Sequence, residues 1–597
     1  HLILTDVASG EVIYNVPTSA VGGPLTINGE INQDDTLIVD MTGIDENTPL
    51  QIIFNGGAGG NDTLAFEGGS LSSMEYYFTN ASDGSVQLNG SGTNFLTYTG
   101  LEPITSTVNA TNVTLNYGAD SETITVTDAG GGQTTVNSTS GEVLTFFNPT
   151  GTLTINAGDG DDLIIVNSLD TAFTADIIIN GELDDDTVTL ATGSVTLGSG
   201  NFTVNTEDIK VNGAVTTTGN VDFNSDNTVT FTSAGSINAT SGTIDIVASS
   251  DIQLGQITTT GDVTVTSTSG NIADNNSVLN NITADKATLT TGLGSIGLFT
   301  LETMVTTLEV SSGGSIDLDN TGDLTIGESG GLTGLNAAGN IRITSTGTLD
   351  VTEDVITTGG WILLATFDSA TNQDLTIQSG VTIQNTGSYI RLIVGDDLKV
   401  ETGAALFSAA HIEIQIDQGG ADPGTGSTAS LFGTLNAVND IIVAGGNDNN
   451  TVIIDGNGGL NNNGGTVDGI NAASFVFNGA GGMNELILDD SGDLTGDTIE
   501  VTHTGVGIGN VTGAGVTDFN FNSPNLDIIL ASGSADDNFS VELGASAPDV
   551  IISSAGGNDN LTVLGRAGGD DFLGVTPIAS EEVLITDINT SNQISFD

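Results

Sequence analysis

A short unit recurs through the middle of the chain and restricts its folds more than any other feature. TTTGNV (216–221) returns as TTTGDV (258–263), 42 residues on. SGTIDI lies between them and sets Gly242 23 residues after Gly219 and 19 before Gly261. Gly339 in GNIRI and Gly360 in GWILL stand 21 apart. A glycine, one further residue and an alternating strand thus come back every 17–23 residues. A unit this short cannot enclose a core alone and must bury its apolar face against copies of itself. Three short strands and three turns fill it. The expectation is an all-β protein built as an elongated parallel β-helix, a solenoid. The alternative, a string of β-sandwich domains, needs a repeat nearer ~100 residues.

The intervening sequence agrees. TVTFTSAGSI, TIDIVASSDIQL and DVTVTSTSGNI alternate apolar and polar residues with period two, the mark of strands. No helical period runs beyond two turns. Val, Ile, Leu and Phe are expected inside, with Thr, Ser, Asn and Asp facing water or making turns. A chain of 597 residues exceeds one compact core. The expected divisions are an N-terminal strand segment, 1–24, serving as cap or exchange strand, and a β-helical region with acidic turns, 25–190. A Thr/Gly/Asn-rich β-helix, 191–440, a second region with acidic turns, 441–575, and a C-terminal strand segment, 576–597, follow.

The charge is unusual in its cause. Asp and Glu number 75, an ordinary share, but Lys and Arg number only 6, leaving a net charge of −69. Nucleic acids and anionic lipids are bound through Lys and Arg, so no nucleic-acid partner is expected. Cations are attracted. The absence of cysteine excludes disulfides and thiolate chemistry. No apolar run approaches the ~18 residues of a membrane span, GWILLATF (360–367) being among the longest. A start at His1 is read as a mature or excised product whose export signal has gone.

Glycine-rich acidic turns punctuate both outer regions. IFNGGAGGNDTLAF (53–66) reappears as VFNGAGGMNELIL (476–488), and TINGEINQDDTLIV (26–39) resembles IINGELDDDTVTL (178–190). AGDGDDLIIV, AGGNDNNTVII, SGSADDNFSVEL, AGGNDNLTVLG and AGGDDFLGV follow the same grammar of strand, small-residue turn, Asp or Asn pair, strand. A phosphate loop needs a helix after its glycines, and these lead into strands. A slack linker would not keep Asp pairs beside apolar strands at coil spacing. Several pairs stand about one coil apart, which stacks carboxylates ~4.8 Å from one another. Such a pair repels by roughly 3 kcal/mol at an effective dielectric of ~20. Oxygens of Asp, Asn and turn carbonyls are the ligands calcium takes. The candidate calcium ligands are Asp34, Asp35, Asn61, Asp62, Asp159, Asp161, Asp162, Asp184, Asp185, Asp186, Asn447, Asp448, Asp536, Asp537, Asn558, Asp559, Asp570 and Asp571. The competing reading is that Asp and Asn merely tolerate left-handed turns and close Asx-turns.

These turns resemble the haemolysin-type, or repeats-in-toxin, calcium nonapeptide GGxGxDxUx, where U is apolar. GAGGNDTLA (57–65) and AGDGDDLII (157–165) each match four of five fixed positions, departing at Ala58 and Ala157, and SAGGNDNLT (554–562) matches three. That family runs its motifs in tandem every nine residues. Here Leu71, Thr171 and Gly568 stand nine after Asp62, Asp162 and Asp559, so the resemblance implies the turn chemistry and not the family's roll fold. Residues 190–440 are similar to the coil repeats of filamentous haemagglutinin-like surface proteins. TYTGLEPI (97–104) beside acidic turns is similar to the repeat style of very large bacterial adhesins.

Catalytic patterns are thin. GESGG (327–331) fits GxSxG, but that pattern needs a helix after the serine and a histidine base. Polygalacturonase-like and lyase sites need clustered basic residues, and Lys210, Lys286, Arg342, Arg391, Lys399 and Arg566 are scattered. His411 and Glu413 share a strand face as a conceivable metal pair or, more simply, surface residues. Trp361 and Tyr76–Tyr77 read as packing residues, with a sugar platform as the functional alternative. The expected function is a non-enzymatic, calcium-stabilised structural subunit of a bacterial extracellular surface layer, matrix or filament. It is expected to form a homo-polymer or to continue in a larger parent chain. The alternatives are an adhesin with a glycan or cell-surface protein partner and, last, a polysaccharide lyase or hydrolase on the same fold.

Overall fold

The computed structural model describes all residues except His1, 6–7, 18–19, 45–49, 329–330, 368–372, 420–425, 458–463, 543–546, 566–572, 578–582, 588–592 and Asp597. The chain is all-β: the described residues contain no α-helix, and parallel pairs dominate one large sheet. It divides into two compact units, residues 1–270 with 274–284, and residues 271–273 with 285–597.

In the second unit each short strand from Ile316–Asn320 to Thr451–Ile454 pairs in parallel with the third one after it. Ile316, Ile341, Ile362, Ile390, Ile412 and Ile441 lie level in successive partners and are all buried. Leu324, Leu349, Leu375, Leu398, Ala429 and Val452 make a second such row. Leu335, Val355, Ile383, Leu406, Leu435 and Ile470 make a third. Like side chains therefore stack on like, and each buried Leu or Ile contributes roughly 1.5–3 kcal/mol. A slip of one residue would turn a whole row to solvent, so the register is strongly held.

The first unit is built the same way. Val113, Leu153, Ile177, Phe202, Val221 and Ile244 form one buried row, and Leu115, Ile155, Ile179, Val204, Phe223 and Ile246 another. Beside the second row runs a ladder of asparagines. Asn156 Nδ2 donates to Asn116 Oδ1, Asn180 to Asn156 and Asn205 to Asn180, all at 2.8 Å, and Asn224 donates to Asn205 at 3.0 Å.

The repeat is less uniform than the sequence spacing implies. Parallel partners stand 24, 25 and 19 residues apart along the asparagine ladder, but 40 apart at its start and 44 apart at Asn55 and Thr99. The extra length is antiparallel. Ser70–Phe78, Gly84–Leu88 and Asn94–Thr99 form one meander. Thr123–Asp128, Gln133–Ser138 and Leu144–Phe147 form a second. Thr498–Gly505, Ile508–Thr512 and Phe519–Asn522 form a third. In the second, Gly130, Gly131 and Gly132 all take positive φ, a turn that reverses the chain where a coil corner would have continued it. The expected cap or exchange strand in 1–24 is a hairpin of Leu2–Thr5 with Val12–Val16, separate from the large sheet.

Candidate functional site: the stacked acidic turns

The acidic turns lie beside one another in the order their spacing implies. Each carries two successive acids or amides, and strand parity gives them opposite fates. In NDTLAF the inner residue Asp62 shares a face with the buried Leu64 and Phe66 and is itself 3% exposed. Asp162, Asp186 and Asp537 occupy the same position at 3%, 1% and 1%. Their predecessors Asn61, Asp161, Asp185 and Asp536 are exposed.

Inner carboxylates do not simply face one another across the stack. Each accepts a backbone N–H from the neighbouring turn: Asp35 N–H donates to Asp62 Oδ1 at 2.9 Å, Glu122 to Asp162 at 2.7 Å and Asp162 to Asp186 at 2.8 Å. Asp186 N–H donates to Glu207 Oε2 at 3.1 Å, Asp497 to Asp537 at 2.8 Å and Asp537 to Asp559 at 2.9 Å. The outer residues bond in the opposite chain direction. Asn61 N–H donates to Asp34 Oδ1 at 2.8 Å, Asp185 to Asp161 at 3.2 Å and Asn558 to Asp536 at 2.7 Å. Bare repulsion between stacked carboxylates is therefore corrected: an amide dipole sits between them, and charged acceptors make these bonds stronger than neutral ones.

What remains is the second oxygen. Asp162 Oδ2, Asp186 Oδ2, Asp537 Oδ2 and Glu122 Oε2 are buried and meet no donor. Burial, and then the charge of Asp162, pushes the Glu122 carboxyl up to about 8. Burial also raises Asp162, and it pushes Asp186 up to about 7 against the bond from the Asp162 N–H. An ionised carboxylate in this position lacks compensation on one side.

The Asn-bearing turns reveal what that side is built to receive. Asn450 and Asn484 hold the inner position: Asn450 Oδ1 accepts the Ser427 N–H at 3.3 Å, and Asn484 Oδ1 accepts the Asn450 N–H at 3.0 Å. Their Nδ2 groups fill the place of the orphaned oxygen and donate to Asp448 O at 2.9 Å and to Gly481 O at 2.7 Å. Turn carbonyls thus converge there on a positive group. A hard cation bridging carboxylate and carbonyl oxygens fits that donor set, and so does a proton.

Other candidates fall elsewhere. For AGGNDNNTVII the expected pair Asn447–Asp448 is corrected to Asn449–Asn450, because Asn450 has the parity of buried Val452 and Ile454. Asp159 is exposed at a strand end. Asp184 takes φ +82 and accepts the Gly160 N–H at 3.2 Å, a turn-forming role. Asp570 and Asp571 lie outside the described residues. His411 and Glu413 do not pair: His411 Nδ1 faces Asp440 Oδ2 at 3.6 Å, and Glu413 faces Arg391 at 3.4 Å.

Sequence reasoning also passed over Asp490, Asp493 and Asp497, whose carboxylates offer oxygens within 4.8 Å of one another. Burial, followed by the charges of Asp497, Asp493 and Asp468, pushes Asp490 up to about 7 despite its bond from the Val467 N–H. The bond from Asp497 N–H to Asp537 Oδ1 joins this cluster to the inner column. Its trace in sequence is the three-and-four spacing of DSGDLTGD, invisible to a search for adjacent acids before a strand.

No family model, curated protein or solved structure matches the chain. No helix among the described residues is long and apolar enough to cross a membrane.

Proposed function

We infer that the chain is a parallel β-solenoid with a mechanical, non-enzymatic role, a structural subunit of an extracellular surface layer, matrix or filament, stiffened by calcium at its acidic turns. One observation carries this reading: buried carboxylate oxygens of Asp162, Asp186 and Asp537 lacking a donor, in the position where Asn450 and Asn484 place an amide. With six Lys and Arg in 597 residues, side chains offer few counter-charges, so compensation comes from solution. Weak turn sites of this kind suit a compartment with calcium near the 10⁻³ M range of extracellular modules. Parallel pairing of each strand from Ile316–Asn320 to Thr451–Ile454 with the third after it supports the solenoid. The Leu2–Thr5 and Val12–Val16 hairpin, with Ile13 68% exposed, supports association with further copies.

The test is thermal melting at pH 8 with calcium, magnesium or chelator, together with elemental analysis of the purified protein. Calcium bound in amounts matching the inner-acid turns, with a melt that drops in chelator, is expected. A metal-free protein whose melt ignores calcium would overturn the calcium role and leave protons as the compensating charge.

A further inference from the structure

One outward sheet face of the second unit changes character along the stack. Thr376, Lys399, Ser430, Ile453, Ile487 and Ile529 are level in successive partners. Each stands between two buried residues of its own strand, so the row points outward. Ile453 and Ile487 are nevertheless only 5% exposed. With Phe432 and Ile529 they line a recess of about 900 Å³. The neighbouring row on the same face carries the charge. Thr428 N–H donates to Asp397 Oδ1 at 2.7 Å, and Asp397 N–H donates to Asp374 Oδ1 at 3.1 Å. Thr428, Thr451, Glu485 and Asp527 continue that row. Two carboxylate pairs, Asp374 with Asp397 and Glu485 with Asp527, therefore flank two threonines. At ~4.8 Å per strand, Asp397 and Glu485 stand roughly 14 Å apart. Among the described residues none of the four acids has an ion-pair partner. Lys399, the base lining the recess, is already paired with Glu401 at 2.9 Å. Burial, and then the charge of Asp527, raises the Glu485 carboxyl from its ordinary value.

We propose that this groove docks an extended segment of a partner protein, apolar in part and carrying two basic residues four positions apart. The proposal is independent of the calcium reading. Charge complementarity selects the occupant: a wall of carboxylates without bases stands beside an apolar recess. An extended chain rises ~3.4 Å per residue, so bases four apart are separated by roughly 14 Å, the distance between the two acid pairs. Lysine or arginine stems lie over the isoleucines while their charged heads reach the acids. Apolar side chains of the segment enter the recess beside Phe432, Ile453 and Ile487. Nucleic acids and acidic glycans are repelled by the same wall. A second copy of this chain does not supply the segment. Its bases are Lys210, Lys286, Arg342, Arg391, Lys399 and Arg566, and no two of them stand four apart.

The test titrates the full chain, with calcium and about 0.15 M salt, into fluorescein-labelled Gly-Lys-Ile-Thr-Ile-Lys-Gly, read by anisotropy. Saturable binding is expected. A peptide of the same composition with adjacent lysines should bind about tenfold more weakly, and one with glutamates for lysines should not bind. Glu485→Gln combined with Asp527→Asn should weaken binding about tenfold. Asp222→Asn with Asp245→Asn, the same charge change on the first unit, should leave it unaltered, which separates the groove from the general field. Ile487→Thr should weaken it several-fold, with circular dichroism confirming that each variant is folded. Absence of saturable binding overturns the proposal, as do equal binding of the adjacent-lysine peptide and equal effects of the two double variants. Displacement of the peptide by equimolar spermine would assign the groove to a polyamine instead. Self-association of the chain that Ile487→Thr abolishes would assign it to a second copy, and either result overturns the partner segment.

Discussion

The substitution Asp186→Asn isolates the orphaned oxygen. In the unfolded chain this carboxyl ionises near 4; in the folded chain burial pushes it up to about 7. Below ~pH 4 both states are protonated and the group costs nothing. As pH rises, the unfolded chain releases its proton first, so stability falls until the folded carboxyl also ionises near its raised value. The difference between those two values sets an upper bound of about 4 kcal/mol, and solvent around the turn screens part of it. Asparagine keeps Oδ1 for the Asp162 N–H and supplies an Nδ2 donor where Oδ2 had none, as Asn450 and Asn484 do. The variant should match the parent at low pH and exceed it by roughly 2–4 kcal/mol at pH 8 in chelator. Urea unfolding of the chain across that pH range, followed by far-ultraviolet circular dichroism with and without calcium, measures this. Calcium should raise the parent at pH 8 more than the variant, which has one carboxylate fewer to offer. A variant less stable than the parent at pH 8 in chelator, with an unchanged pH profile, would refute the reasoning: the second oxygen would then be satisfied in solution.

Two further outcomes follow from backbone and ladder geometry. Gly158 takes φ +102, and a Cβ there would stand 1.9 Å from the Gly118 carbonyl oxygen. Gly158→Ala should therefore cost several times the ~1 kcal/mol expected for Gly131→Ala, whose φ of +67 meets open space. Paired urea curves check the ratio. Asn180→Asp removes the donor to Asn156 and sets two oxygens against each other while keeping the acceptor for Asn205, at a cost of about 1–3 kcal/mol at neutral pH that shrinks on acidification.

Much of the fold was legible because strand formation is local. Alternation marks the buried rows, and the spacings from Asp35 to Asp62, Asp162 to Asp186 and Asp537 to Asp559 put the right turns beside each other, at separations of 27, 24 and 22 residues. Parity could have gone further: the inner acid stands two residues before the first buried apolar residue, the rule that selects Asn450 over Asp448. The asparagine ladder was likewise legible in TINAGD, IINGEL, TVNTED and DFNSDN, each with its asparagine inside the strand directly after a buried apolar residue. Only tertiary structure decided the rest. The antiparallel meanders lengthen some repeats because a glycine turn can end a coil corner or reverse the chain, and the choice depends on which neighbour then offers free backbone groups. The N–H between stacked carboxylates, the oxygen left without a donor and the convergence of Asp490, Asp493 and Asp497 all depend on a turn from another part of the chain. A carboxylate's cost is set by burial and by the dipoles around it, which its own segment does not specify.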